Sequence, residues 1–215
     1  SVNTITLLRA SVHERQSKSD WRTKVRYRYS KQNLCTQKIE ISIDPDTCTQ
    51  MMHYMALREA CIKDSIYLTQ IKKQIQLAQI IRKVLSEFSY KLYAWVVLPN
   101  HYHILAHSYK GKDLPFFLKK AHSQYALWLN KQDNAQGRKV FYQYWDEFFE
   151  GELGFYKFMN YIHYNPVKHG YVDMMEQWKA SSVHTYIRKC GTQAVYEDFE
   201  RYPLGEWSLR YDDKL

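Results

Sequence analysis

Residues 92–106 read Leu92-Tyr93-Ala94-Trp95-Val96-Val97-Leu98-Pro99-Asn100-His101-Tyr102-His103-Ile104-Leu105-Ala106. β-Branched and aromatic residues fill both halves of this stretch, and a Pro-Asn pair separates them, which is typical of two strands joined by a turn. Successive side chains of a strand point to opposite faces, so His101 and His103 project from the same face. Two imidazoles about 7 Å apart on one rigid face can hold a divalent ion between them.

Helices and strands are expected on both sides of this pair. Apolar residues recur every three or four positions from Lys72 to Phe88, which predicts an amphipathic helix. A second helix is expected after Asp113, which suits the N-cap, with Pro115 in its first turn and its end near Asn130. The other expected elements are a strand at 38–44, one or two helices at 51–63, a strand at 140–145, a helix from Leu153 that Pro166 ends or kinks, and a short helix at 181–189. This order favours an α+β fold with an antiparallel sheet.

The chain is basic, and much of its charge lies near the N-terminus. The 31 Lys and Arg residues against 22 Asp and Glu give a formal net charge of +9, which favours an anionic partner such as nucleic acid. Residues 1–33 show little periodicity and are interpreted as a basic arm, which is either solvated or in contact with phosphates. The 19 tyrosines and 6 tryptophans supply aromatic faces on which unpaired bases can stack.

Cysteine spacing and hydropathy argue against several classes of protein. Four cysteines lie far apart, so the sequence indicates neither a disulfide framework nor a zinc knuckle: Cys35, Cys48, Cys61 and Cys190. No apolar run approaches the roughly 20 residues that cross a bilayer, and no signal-type segment is present. We therefore expect a cytoplasmic protein without a membrane partner, folded as one unit with extensions.

A second informative stretch places a tyrosine and an amide one helical turn apart. It reads Tyr161-Ile162-His163-Tyr164-Asn165-Pro166-Val167-Lys168. Tyr161 and Asn165 share a helix face if the helix continues that far, and the amide oxygen can then complete a metal shell begun by the two histidines. Tyr164 is the alternative nucleophile, and His163 or a water molecule is the alternative third ligand. The pattern predicts a tyrosine nucleophile that a metal ion assists.

Four motifs in this order resemble the REP-associated tyrosine transposases, a family of the single-tyrosine HUH endonucleases. They are Ala94-Trp95-Val96-Val97-Leu98-Pro99-Asn100-His101-Tyr102-His103, Tyr144-Trp145-Asp146, Tyr161-Ile162-His163-Tyr164-Asn165-Pro166-Val167-Lys168-His169-Gly170-Tyr171-Val172, and Trp178-Lys179-Ala180-Ser181-Ser182. The resemblance covers roughly residues 66–207. Tyr102 departs from the His-hydrophobic-His signature, which has an aliphatic residue at this position.

The resemblance implies a ferredoxin-like sandwich with a central antiparallel sheet and helices on one or both faces. The expected divisions are the basic arm at 1–33, a catalytic domain at 34–190 and a C-terminal tail at 191–215. The implied cofactor is Mg²⁺ or Mn²⁺ bound by His101, His103 and Asn165, and Tyr161 is the implied nucleophile. Attack on single-stranded DNA would give a 5′-phosphotyrosine and a free 3′ hydroxyl, so that rejoining needs no nucleotide cofactor.

The implied partner is hairpin-forming, single-stranded repeat DNA of a bacterial genome, which places the protein with the nucleoid. Seven basic residues are predicted to contact this DNA: Arg22, Lys24, Arg26, Arg28, Lys119, Lys120 and Lys168. We expect a monomer, with a dimer as the alternative. Two other functions stay open, namely a domesticated protein that binds hairpins without cutting them and an RNA-directed endonuclease or RNA-binding protein.

Overall fold

In the described part of the chain, four antiparallel strands form the central sheet, in the spatial order β2-β3-β1-β4. The strands are β1 (Tyr54–Cys61), β2 (Tyr90–Val97), β3 (His101–Ser108) and β4 (Phe141–Phe149). The computed structural model describes residues 54–61, 67–108, 113–149 and 151–205, and of residues 54–61 the backbone only. The predicted strand at 38–44 and the predicted basic arm at 1–33, with its four arginine and lysine DNA contacts, lie outside these residues.

Helices cover both faces of the sheet. In the described part of the chain they are α1 (Ile71–Glu87), α2 (Leu114–Gln132), α3 (Gly151–Lys168), α4 (Val183–Cys190) and α5 (Thr192–Arg201), with a 3₁₀ helix at Met175–Gln177. Helices α1 and α2 pack against each other on one face, and α3 packs on β2 and β3. The order β1-α1-β2-β3-α2-β4, combined with this strand order, is that of a ferredoxin-like sandwich, as the resemblance implied. No helix within the described ranges has both the length and the apolar character of a membrane span.

The side chains of β3 alternate between two layers, as its sequence predicts. Tyr102, Ile104 and Ala106 belong to the apolar core that α1 and α2 cover. His101 and His103 lie on the other face, next to α3. The prediction that the two histidines share a face is confirmed, and the sheet separates them from the main apolar core.

Residues 54–61 form a central strand, so the prediction of helices at 51–63 was wrong. Met, Ala, Leu and Glu residues in this segment favour a helix by intrinsic propensity. The segment instead pairs with β3 over residues 54–60 and with β4 over residues 54–61, and Arg58 is in register with His103 of β3 and with Trp145 of β4. Two ladders of backbone hydrogen bonds outweigh a local preference of a few tenths of a kcal/mol per residue.

Helix α3 continues two residues beyond Pro166. The sequence predicts that the proline ends or kinks the helix nearby, and the helix does end within one turn. The residue before the proline nevertheless stays helical, because the backbone N–H of His169 donates to the Asn165 carbonyl over 3.0 Å. Gly170 then adopts a left-handed φ of +71°, which terminates the helix. Asn165 therefore keeps the helical spacing from Tyr161 on which its predicted role depends.

The segment assigned to a C-terminal tail begins with helix α5. Val195 and Phe199 of this helix are buried. The amide of Asn160 on α3 donates to the backbone carbonyls of Asp198 and Tyr202 over 3.0 and 3.1 Å. Residues 192–205 therefore brace α3, and a domain boundary at residue 190 stays a prediction.

Tyr102 connects the histidine strand to α2. Its ring is fully buried, and a hydrogen bond of 2.8 Å joins its hydroxyl to Nε2 of His122. The His122 ring also stacks on Phe141 of β4, with 3.9 Å between the ring centroids. Burial lowers the pKa of His122 to about 3, so this imidazole is neutral at physiological pH. The tyrosine that departs from the family signature thus gains a polar partner in the core.

We expect the protein to lose stability as the pH falls below 6.5. His122 accepts a proton at that pH in the unfolded chain but only near pH 3 in the folded one, so acid favours unfolding. Titration of His122 alone should lower the free energy of unfolding by about 1.4 kcal/mol per pH unit, and the decrease should reach about 2 kcal/mol at pH 5. Urea unfolding at pH 7.5 and pH 5.0 measures the loss. In His122→Gln, which cannot titrate, the free energy of unfolding should fall less between the two pH values, by this amount. An equal fall in both proteins would contradict the lowered pKa of His122.

Candidate active site

His101 and His103 form a close pair of buried imidazoles. Their ring centroids lie 5.0 Å apart. Nδ1 of His101 lies 2.8 Å from Oδ1 of Asn100, and because an amide oxygen only accepts, this nitrogen carries the proton. Nε2 of His101 is then left in the deprotonated form that binds a metal. The sequence predicts the pair but indicates only a turn at Asn100.

One residue of α3 and one just beyond its C-terminal end contact this pair, and they are eight positions apart. The Tyr161 ring lies 5.2 Å from the His103 ring, and the His169 ring lies 5.2 Å from the His101 ring. Asn165 lies midway between them in the sequence, on the same face of the helix. The two sequence motifs that predicted the site are therefore adjacent in the fold. His169 was not predicted to approach the histidines, since it follows the expected end of the helix.

The side chains of His101, His103 and Asn165 offer donor atoms that suit a divalent cation. The Asn165 side chain is fully buried, and neither Nδ2 nor Oδ1 has a hydrogen-bond partner among the described residues. A buried amide left in this state costs about 1–3 kcal/mol, which coordination through its oxygen would offset. Within the described ranges, no three His, Cys, Asp or Glu side chains are grouped around a possible metal position. Two imidazoles with one amide oxygen, the set that the sequence predicts, form a mixed N and O donor set of the kind that transition metals such as Mn²⁺ accept, and further oxygen ligands in the open positions would let it hold Mg²⁺.

Tyr161 is shielded from solvent but lies at the site. The residue is 1% exposed, and its ring lies between the ring of His103 and the ring of Phe158, whose centroid is 5.6 Å away. Nζ of Lys168 lies 5.3 Å from the centroid of the same ring. The phenol is therefore next to an imidazole and a cation rather than within the main apolar core.

The two alternatives from the sequence lie elsewhere. The Tyr164 ring packs against Phe199 of α5, with 6.3 Å between centroids. Nε2 of His163 forms a hydrogen bond of 2.8 Å with the Ser182 hydroxyl. Burial, with a smaller contribution from His184, lowers the pKa of His163 to about 3, so this imidazole is neutral. These positions favour Tyr161 as the nucleophile and Asn165 as the third ligand.

Residues 48–165 match the family described as Transposase IS200 like. The chain belongs to this family. An Escherichia coli K12 protein named REP-associated tyrosine transposase is 29% identical over 111 residues, which are 51% of this chain and 64% of that protein, less than two thirds of its length. A Haemophilus influenzae relative is 24% identical over 133 residues, which are 57% of this chain and 74% of that protein. The resemblance drawn from the four motifs is confirmed at the level of the family.

A solved structure supports the fold of this chain. It is that of a REP-associated tyrosine transposase bound to a REP hairpin, with 22% sequence identity and a TM-score of 0.52. The superposition covers 63% of this chain and 79% of the other. The two proteins thus share the ferredoxin-like arrangement.

The lysines predicted to contact DNA in the described part of the chain lie on two different faces. Lys168 is at the end of α3, beside Tyr161. Lys119 and Lys120 are exposed on α2, which covers the opposite face of the sheet, and the Lys120 ammonium pairs with Glu87. Among these three lysines, Lys168 alone lies at the candidate active site.

Proposed function

We propose that this chain is a metal-dependent tyrosine endonuclease and transposase that cleaves and rejoins hairpin-forming single-stranded DNA. The observation that carries the proposal is the contact of Tyr161 with His103, on a helix that carries the buried Asn165 one turn further on. The family and the positions of these residues support the proposal together.

The chemistry is a transesterification. The Tyr161 phenol oxygen forms a bond to a DNA phosphorus, and the bond from that phosphorus to the 3′ oxygen of the preceding nucleotide breaks. The phenol loses a proton and the departing 3′ oxygen gains one, so one phosphodiester replaces another. A divalent ion, when bound by His101, His103 and Asn165, supplies a Lewis acid for a non-bridging phosphate oxygen. The 3′ hydroxyl of a second strand reverses the reaction, which rejoins DNA without an energy source.

Lys168 is proposed to control access to the phenol. The Tyr161 side chain is 1% exposed, so a phosphate reaches its hydroxyl only after a neighbour moves. Lys168 is the long, flexible side chain over that ring. A phosphate attracts its ammonium away from the ring, and the same ammonium then neutralises charge next to the reacting group.

The test is a hairpin oligonucleotide labelled at one end and incubated with the protein and Mn²⁺. A 5′-phosphotyrosine links the protein to the strand on the 3′ side of the cut. A 3′ label should therefore migrate with the protein under denaturing conditions, and a 5′ label should leave on a fragment with a free 3′ hydroxyl. Hairpin binding that survives chelation, with no adduct in Mn²⁺ or Mg²⁺, would instead support the binding protein. Preferential adduct formation with an RNA hairpin would support the RNA-directed alternative.

We expect Lys168→Ala to weaken hairpin binding in a salt-dependent way. Loss of one phosphate contact should lower the slope of log K against log salt by about 0.7 to 0.9. Fluorescence anisotropy between 50 and 300 mM NaCl measures the slope, and an unchanged slope would contradict the contact. The same titration of Lys119→Ala and Lys120→Ala tests the contacts predicted on the opposite face.

A further inference from the structure

The Trp178–Ser182 motif extends the sheet along the outer edge of β2. The backbone N–H of Val97 donates to the Ala180 carbonyl over 3.0 Å, and that of Ser182 donates to the Trp95 carbonyl over 2.9 Å. The Trp178 indole N–H donates to the Val97 carbonyl over 2.9 Å. The proposed chemistry assigns no role to this motif, although its spacing is among those that resemble the family.

The Ser182 hydroxyl lies within hydrogen-bonding distance of two backbone groups of β2 and one side chain of α3. Its Oγ accepts the backbone N–H of Trp95 over 2.9 Å and lies 3.2 Å from the carbonyl oxygen of the same residue. The same Oγ lies 2.8 Å from Nε2 of His163 on α3. Ser182 and His163 are both buried. One side chain thus connects the tyrosine helix to the backbone of an edge strand.

We propose that Ser182 is a positioning residue, which acts through His163 to set the place of Tyr161 relative to the paired histidines. At one end of the connection, His163 is two residues from Tyr161 on a continuous helix. At the other end, Trp95 is followed by Val96, which pairs in register with His103. The inference rests on the proposed function, because it concerns the rate of that reaction.

A hydrogen bond restricts the position of α3 along β2 more tightly than apolar packing alone does. Elsewhere α3 meets β2 through rings, such as Phe155 against Tyr93 with 5.0 Å between centroids. Such contacts tolerate small shifts, whereas a bond to the strand backbone fixes the position along the strand. A shift of about 1 Å between reacting groups is enough to lower a rate by about 10²-fold.

The experiment is single-turnover cleavage of hairpin DNA with Mn²⁺ at increasing protein concentration. We expect Ser182→Ala to lower the maximal rate by about 10- to 100-fold and to leave the half-saturating concentration within about twofold. Ser182→Thr, which keeps the hydroxyl, should restore most of the rate. Ser181→Ala is the matched control, because its buried hydroxyl accepts the Val183 N–H at the start of α4 and does not bond to α3. Its rate should stay within about twofold of the unaltered protein.

A double-mutant cycle distinguishes a positioning role of Ser182 from a general weakening of the packing around α3. His163→Leu should lose as much rate as Ser182→Ala, and the double variant should lose no more, because both remove one connection. A normal rate in Ser182→Ala, an equal loss in Ser181→Ala, or additive losses would overturn the inference. If Ser182→Ala fails to unfold cooperatively, His163→Leu carries the same test, since it leaves the contact of Ser182 with Trp95 in place. Absence of cleavage by the unaltered protein would refute the proposed function itself, and the inference with it.

Discussion

Tyr161→Phe is expected to abolish the covalent protein–DNA adduct and to lower strand cleavage by at least about 10³-fold, because it removes the only atom that attacks. Hairpin affinity should change by less than about threefold, since the ring and its contacts with His103 and Phe158 stay in place. Denaturing gels of a 3′-labelled hairpin measure the adduct, and anisotropy measures binding. The structure makes this the sharpest test of the nucleophile, because one oxygen atom is the whole change.

Tyr164→Phe is the matched control for this variant. It removes the same atom from the same helix, three residues away, where the ring faces Phe199 instead of the histidines. We expect a normal adduct. An adduct in Tyr161→Phe together with none in Tyr164→Phe would show that the nucleophile had been assigned to the wrong tyrosine.

His103→Ala is expected to weaken Mn²⁺ binding and to lower the cleavage rate by about 10²-fold or more. Loss of an imidazole removes a ligand, and a Lewis acid at a phosphate contributes several kcal/mol to the transition state. The electron paramagnetic resonance signal of free Mn²⁺ measures binding without reference to activity. His101→Ala should behave in the same way, and Asn165→Ala should show a smaller loss of affinity, because an amide oxygen is the weaker donor.

His107→Ala provides the control on the same strand. His107 follows His103 by four residues, about 13 Å along β3, so its loss should leave Mn²⁺ affinity unchanged. Equal loss of affinity in His107→Ala and His103→Ala would contradict the assigned ligands. Mixing Tyr161→Phe with His103→Ala should restore no activity if one chain carries the whole site, whereas restoration would show that the helix is exchanged between two chains.

Local periodicity predicted the parts of the site that lie on regular elements. Strand alternation was enough to place His101 and His103 on one face, and the four-residue helical repeat was enough to align Tyr161 with Asn165. Both rules depend only on backbone geometry, which β3 and α3 keep at these positions. The order of strands around the site followed from the family resemblance rather than from the periodicity.

Features that depend on pairing between distant segments were missed. Residues 54–61 have helical propensity but form a strand, because β3 and β4 lie on both sides of them. The hydrogen bond between Asn100 and His101 depends on the conformation of the turn before β3. The hydrogen bond between Ser182 and His163 depends on the pairing of residues 180–182 with the edge of β2. The Trp-x-x-Ser-Ser motif was the one available signal for the second bond, and its sequence alone shows no partner.

The position of the metal relative to Tyr161 can be measured by anomalous diffraction from crystals grown with Mn²⁺ and recorded at the manganese absorption edge. We expect one strong peak about 2.1 Å from ring nitrogens of His101 and His103, with the Asn165 oxygen among the ligands and the Tyr161 hydroxyl close enough for one phosphate to contact both it and the metal. A peak at other ligands, or a metal on the histidines with the phenol on the far side of α3, would contradict this arrangement.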